Sequence, residues 1–96
     1  MMLVITYDVN TTDAAGAKRL RKVAKICERY GIRVQNSVFE VLVDPAQLTL
    51  LKAELEKAIN VETDSIRLYR LGKNFSGRVE TMGKKPVVEA GGELMF

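Results

Sequence analysis

A single carboxylate, Asp8, closes the run Leu3-Val4-Ile5-Thr6-Tyr7-Asp8-Val9, which is otherwise almost wholly apolar and β-branched. An aspartate in such a run must be hydrogen-bonded, paired with a cation or bound to a metal, because an isolated buried carboxylate is costly or titrates away. Two readings stand: Asp8 ends its strand and caps the following turn, or it does chemistry there. The rest of the chain narrows what that chemistry is. There is no histidine, which excludes histidine acid–base catalysis, serine triads and most zinc sites. The lone Cys27 falls at an apolar helical position and offers neither a disulfide nor a cysteine metal site within one chain. Hard oxygen ligands remain, and they suit Mg2+, with Mn2+ as its substitute. Mg2+ is held by one or two carboxylates plus waters and phosphate oxygens, so one aspartate per chain is a thin site. Symmetry doubles the count if the end of the first strand lies near a dimer axis. Asp8 and Asp8 of the partner subunit then share one metal and present it to a phosphodiester.

A polyanion is also what the charge distribution suggests. Lys and Arg outnumber Asp and Glu by 15 to 12, and the excess is concentrated. Lys18, Arg19, Arg21, Lys22, Lys25, Arg29 and Arg33 face a single acid in that stretch, Glu28. An ordinary solvated face is the bland meaning of such a cluster, but the near absence of interleaved acids points to a polyanion. The expected phosphate contacts are Lys18, Arg19, Arg21, Lys22, Lys25 and Arg33. Arg33 has the best claim, since a planar guanidinium matches phosphate geometry.

Positioning these residues takes an α+β domain. Apolar residues at both odd and even positions make the opening run a central strand covered on both faces. Asn10-Thr11-Thr12-Asp13 supplies N-cap residues for a helix over residues 14–30, with Gly16, Leu20, Val23, Ala24, Cys27 and Tyr30 on its apolar face. Gly31 is expected to end that helix through a left-handed backbone. Residues 33–43 read as a tight hairpin around Gln35-Asn36-Ser37, the runner-up being one long strand with a bulge. Asp44-Pro45-Ala46-Gln47 is a capping-box start for a second helix, buried through Leu48, Leu51, Leu55, Ala58 and Ile59. A strand over residues 65–71 ends at Gly72, and residues 78–83 read as a short fifth strand that crosses to a neighbour.

This order is the split βαβ arrangement, two helices on one face of an antiparallel sheet, with residues 1–83 as the domain and 84–96 as a loosely held tail. The other sheet face needs cover, which a twofold dimer packed sheet against sheet supplies. Neither a charged leader with an apolar core nor an apolar run of about 18 residues occurs, so no membrane partner is expected, and a reducing cytoplasm fits the single cysteine.

Taken with the basic helix, the opening LVITYDV, the run Gly31-Ile32-Arg33-Val34-Gln35-Asn36-Ser37-Val38-Phe39-Glu40 and the strand around residues 66–71 resemble the small CRISPR-associated adaptation endonuclease family, the partner of the spacer integrase. The resemblance covers nearly the whole chain. It implies a ferredoxin-like homodimer whose fifth strands extend toward the partner subunit, and Mg2+-dependent cutting of double-stranded DNA or RNA with Asp8 as metal ligand. It equally implies a non-catalytic central dimer that binds duplex DNA and bridges two integrase dimers. Arg33, Ser37 and Phe39 stand at positions of the family's recurrent motif and, with Tyr7 and Asn10, are the expected site neighbours. The family often has a second acid shortly after the first, where this chain has Asn10 and reaches its next acid only at Asp13. Phe39 and Tyr7 also have a plain packing reading, and Ser37 that of a turn residue.

Overall fold

The first strand, β1 (Met2–Asp8), lies between two antiparallel neighbours, β3 (Val38–Leu42) and β4 (Ser65–Gly72), and β2 (Gly31–Gln35) completes the sheet outside β3. The sheet order is therefore β2-β3-β1-β4, as the split βαβ reading requires. The computed structural model describes residues 1–72, 74 and 77–83, so the expected tail 84–96 lies outside the described residues. Leu3, Ile5 and Tyr7 alternate with Val4, Thr6 and Asp8 along β1, which sends the two sets to opposite faces. Leu3 pairs with Val41 and Ile5 with Phe39, placing all four on the face that meets the helices. There they form one core with Val23, Ala24, Ile26 and Cys27 of α1 (Ala14–Glu28) and Leu48, Leu51, Leu55 and Ala58 of α2 (Pro45–Ala58). Fully burying a side chain of this kind contributes about 1.5–3 kcal/mol relative to leaving it exposed.

Local chemistry sets the helix starts. Asp13 caps α1, its carboxylate accepting from the Gly16 N–H at 2.8 Å. Asp44 caps α2 through both halves of a capping box: the Gln47 N–H donates to Asp44 Oδ1 at 2.7 Å, and the Asp44 N–H donates to Gln47 Oε1 at 2.9 Å. Pro45 fills the position whose N–H would have had no partner.

Three expectations need correction. Helix α1 stops at Glu28, because the Arg29 and Tyr30 N–H groups donate to carbonyls three residues back, on Ile26 and Cys27, and tighten the last turn. Gly31 does not adopt a left-handed backbone; it opens β2, where a Cβ would sit 1.9 Å from the Glu40 carbonyl oxygen, so its value is close strand approach. Leu20 is only partly buried, and Ile26 takes a place in the core.

The tight hairpin turns at Asn36-Ser37, with a register shift between Arg33 and Gln35 that also introduces the irregularity of the runner-up reading. Residues 78–83, expected as a fifth strand, form no strand and pair with no other strand among the described residues.

Gly31→Ala is expected to destabilise the domain by about 1–3 kcal/mol, because the new methyl group meets backbone rather than a side chain that can swing aside. Urea denaturation of parent and variant measures it; an unchanged midpoint would show that β2 and β3 separate without strain.

Candidate metal and nucleic-acid site

Asp8 ends β1 opposite Ser65 of β4. Its place in the alternation directs it to the sheet face that the helices leave uncovered, and it is exposed at the rim. The capping alternative falls to its neighbours. Asn10 Oδ1 accepts from the Thr12 N–H at 3.0 Å and the Thr12 hydroxyl at 2.8 Å, and Asp13 caps the helix. Among the described residues no ion pair engages the Asp8 carboxylate, and no three His, Cys, Asp or Glu side chains cluster as metal ligands. One exposed oxygen donor per chain, unclaimed by an internal cation, fits half of a Mg2+ carboxylate set and no more.

On the opposite face, Tyr7 is buried and stacks on Phe39, ring centroids 6.1 Å apart. The Tyr7 hydroxyl donates to the Asn36 carbonyl at 3.3 Å, and its backbone N–H donates to the Ser37 carbonyl at 3.1 Å. The rim of β1 is thereby tied to the hairpin turn. The Arg33 guanidinium lies over the Phe39 ring at 5.3 Å, with Nη2 4.0 Å from a Glu28 carboxylate oxygen. Its Nε is buried with no hydrogen-bond partner among the described residues. Burial pushes the Tyr7 phenol up, with nearby Arg33 opposing that shift. Burial likewise drives the Cys27 thiol up to about 12, which leaves no thiolate nucleophile.

The structure reveals a residue that the sequence passes over. Asp64, in the loop before β4, has a fully buried side chain that draws in donors from three segments. Its carboxylate accepts from Arg19 Nε at 2.8 Å, the Asn10 N–H at 3.0 Å, the Asn60 N–H at 2.9 Å and the Thr63 hydroxyl at 3.0 Å. Arg19 Nη2 reaches the Asn10 carbonyl at 3.3 Å as well. Arg19, expected at a phosphate, is therefore committed inside the protein. A buried carboxylate needs a cation, and Arg19 is the one that reaches it. No local signal announces this contact, because its partners lie 45 residues apart.

Lys18, Arg21, Lys22 and Lys25 remain on the exposed face of α1. Arg29 pairs with Glu54 across to α2. The first turn of α1 packs on the loop after Asp8, where a Cβ at Gly16 would meet the Asn10 carbonyl oxygen at 1.9 Å. The basic face thus starts within a turn of the rim that carries Asp8.

Comparison with known proteins shows the family and the fold. The family model described as CRISPR associated protein Cas2 matches residues 1–79. The CRISPR-associated endonuclease Cas2 of Halalkalibacterium halodurans is 55% identical over 96 residues, covering 100% of both chains. The CRISPR-associated endoribonuclease Cas2 3 of Rhodospirillum rubrum is 54% identical over 95 residues, covering 99% of this chain and 100% of its own. The crystal structure of Streptococcus pyogenes Cas2 at pH 6.5 superposes with a TM-score of 0.78 at 59% identity, covering 86% of this chain and 100% of that one.

The Asp64 hub has a testable acid signature. Donation from Arg19 holds its carboxyl well below the usual carboxylate range, despite burial, with the Asn60, Asn10 and Thr63 donors adding to the effect. A depressed folded-state value gives stability that is fully present above the unfolded value of about 4 and is lost as pH falls through the folded value. Asp64→Asn should therefore lower the denaturation midpoint at neutral pH, and the gap to the parent should narrow below about pH 4. An equal gap at pH 3 and pH 7 would assign the stabilisation to something other than the ionised carboxylate.

Proposed function

The chain belongs to the Cas2 family of CRISPR-associated proteins, and from that premise we propose that it is a homodimeric, Mg2+-dependent endonuclease that hydrolyses double-stranded DNA in CRISPR spacer acquisition. The observation that carries the reading is Asp8, an exposed carboxylate at the end of the central strand, with no ion pair among the described residues and aimed off the open sheet face. In a twofold dimer packed through that face, Asp8 and Asp8 of the partner subunit supply the two carboxylates that one chain lacks. Mg2+ held there supplies a bound water of lowered pKa and neutralises charge that develops on the phosphate.

The protein's own residues do the remaining work. Lys18, Arg21, Lys22 and Lys25 grip the duplex backbone, and Arg33 offers the partly exposed end of its guanidinium to a phosphate beside the hairpin turn. Tyr7, Phe39, Asn10 and Ser37 shape and fix the rim without touching the reacting atoms. The relatives' names include both endonuclease and endoribonuclease, so matched RNA and DNA duplexes belong in the same assay. The proposed partners in the cell are two integrase dimers bridged along the bound DNA.

Asp8→Ala is expected to abolish Mg2+-dependent cleavage of duplex DNA while the protein keeps its dimer and its affinity for uncut DNA. A variant that cuts as fast as the parent would remove the nuclease assignment and leave the bridging role. The basic face has its own test. Each phosphate contact contributes about −0.9 to the slope of log affinity against log salt, so replacing Lys18, Arg21, Lys22 and Lys25 together should flatten that slope by up to ~3–4 units. An unchanged slope would return this face to solvent.

A further inference from the structure

The open face of the sheet carries a largely buried acid, Glu40, one of whose carboxylate oxygens has no hydrogen-bond partner among the described residues. Glu40 pairs in register with Val4 on one side and Ile32 on the other, so all three side chains share the face opposite the helices. Its relative exposure is only 6%, and its Oε1 has no hydrogen-bond partner among the described residues. Burial pushes its carboxyl above the usual range, the condition that a cationic partner relieves. The same face holds Leu42 and Tyr69, 40% and 46% exposed, which are large apolar and aromatic groups left without cover. It also holds Arg67, opposite Thr6 on the edge strand. Arg67 is exposed, donates only to the Tyr69 hydroxyl at 3.2 Å, and has no carboxylate partner among the described residues.

We propose that Glu40 and Arg67 form the polar pair that sets the register of the homodimer, Glu40 of each protomer accepting from Arg67 of the partner subunit across the twofold. This inference rests on the dimer reading above and names the contact that specifies it. A face that bears Glu40 and Arg67, each without a charged partner among the described residues, in its middle, with Asp8 at its rim, is complementary to a rotated copy of itself, and a twofold axis makes the contact twice. The alternative registers are penalised. Two Glu40 carboxylates brought together near the axis repel, and either one sealed under Leu42 or Tyr69 of the other copy stays desolvated and unpaired. An apolar face alone lets two sheets slide; a buried charged pair does not.

Sedimentation equilibrium on the full chain tests the pair, with far-UV circular dichroism confirming that each variant is folded. Glu40→Arg and Arg67→Glu should each weaken the dimer by ~30-fold or more, as expected when one partner of a buried interfacial charge pair is lost. The double variant Glu40→Arg/Arg67→Glu should recover most of that loss. Arg67→Ala, on an exposed edge-strand position, provides the same readout if reversal at Glu40 prevents folding. Single reversals that dimerise as tightly as the parent, or a double variant no tighter than the singles, would overturn the pair and leave the dimer standing. A parent chain that is monomeric at every concentration would overturn the dimer itself and the pair with it.

Discussion

A central strand that is apolar on both faces, with two helices among the described residues, sets the terms for everything else. The helices cover Leu3, Ile5 and Tyr7, and both lie on that side. Neither of the two described helices covers Val4 and its neighbours on the opposite side. A domain of about this size buries only ~60–70% of the surface its unfolded chain exposes, so an uncovered sheet face is a large fraction of what it has left to gain. The demand for a second layer is thus built into β1, and the same alternation that creates the demand sends Asp8 to the uncovered face. Packing and chemistry share one strand and one side of it.

The rim at the end of that strand is held by polar contacts added to the apolar packing of Tyr7 and Val9. Asp64 joins the loop after β1, helix α1 and the loop before β4 through one carboxylate, which is tolerable in a buried place because several donors converge on it. On the other face, Tyr7 fastens the same rim to the hairpin turn by a hydroxyl and a backbone bond. Both devices act on the residues flanking Asp8 and leave its own carboxylate unclaimed. That division suits a ligand position, whose backbone must be fixed while its oxygen atoms stay available.

What the sequence made legible was local. The start of α2 follows from four consecutive residues, Asp44 to Gln47, and both halves of the predicted capping box are present. Strand β1 and the split βαβ order follow from periodicity, and the tight turn from Asn36-Ser37. Gly31 was misjudged because the same residue serves two purposes, left-handed turns and close strand approach, and only the position of the Glu40 carbonyl tells them apart. Arg19 was misjudged for a different reason. On a helical projection it belongs with its basic neighbours, and its actual partner lies 45 residues away in a stretch that reads only as a polar break. A fifth strand over residues 78–83 depends on a ladder partner, and the described residues of one protomer offer none, so periodicity alone does not make it.

In the proposed dimer, one acid per chain is a sufficient endowment rather than a deficient one. A site inside one protomer needs its second carboxylate nearby in the sequence, and Asn10 spends its carboxamide oxygen on Thr12 instead. A site on a twofold axis takes its second ligand from symmetry, which makes the substitution at residue 10 harmless to the metal and useful to the loop. It also links two equilibria. A cation that binds only between paired carboxylates stabilises the paired state by mass action, and whatever sets the register of the two sheets sets the distance between those carboxylates. The polar contact in the middle of the face and the metal at its rim would therefore act on the same rigid-body relation between two protomers, the one through specificity and the other through chemistry.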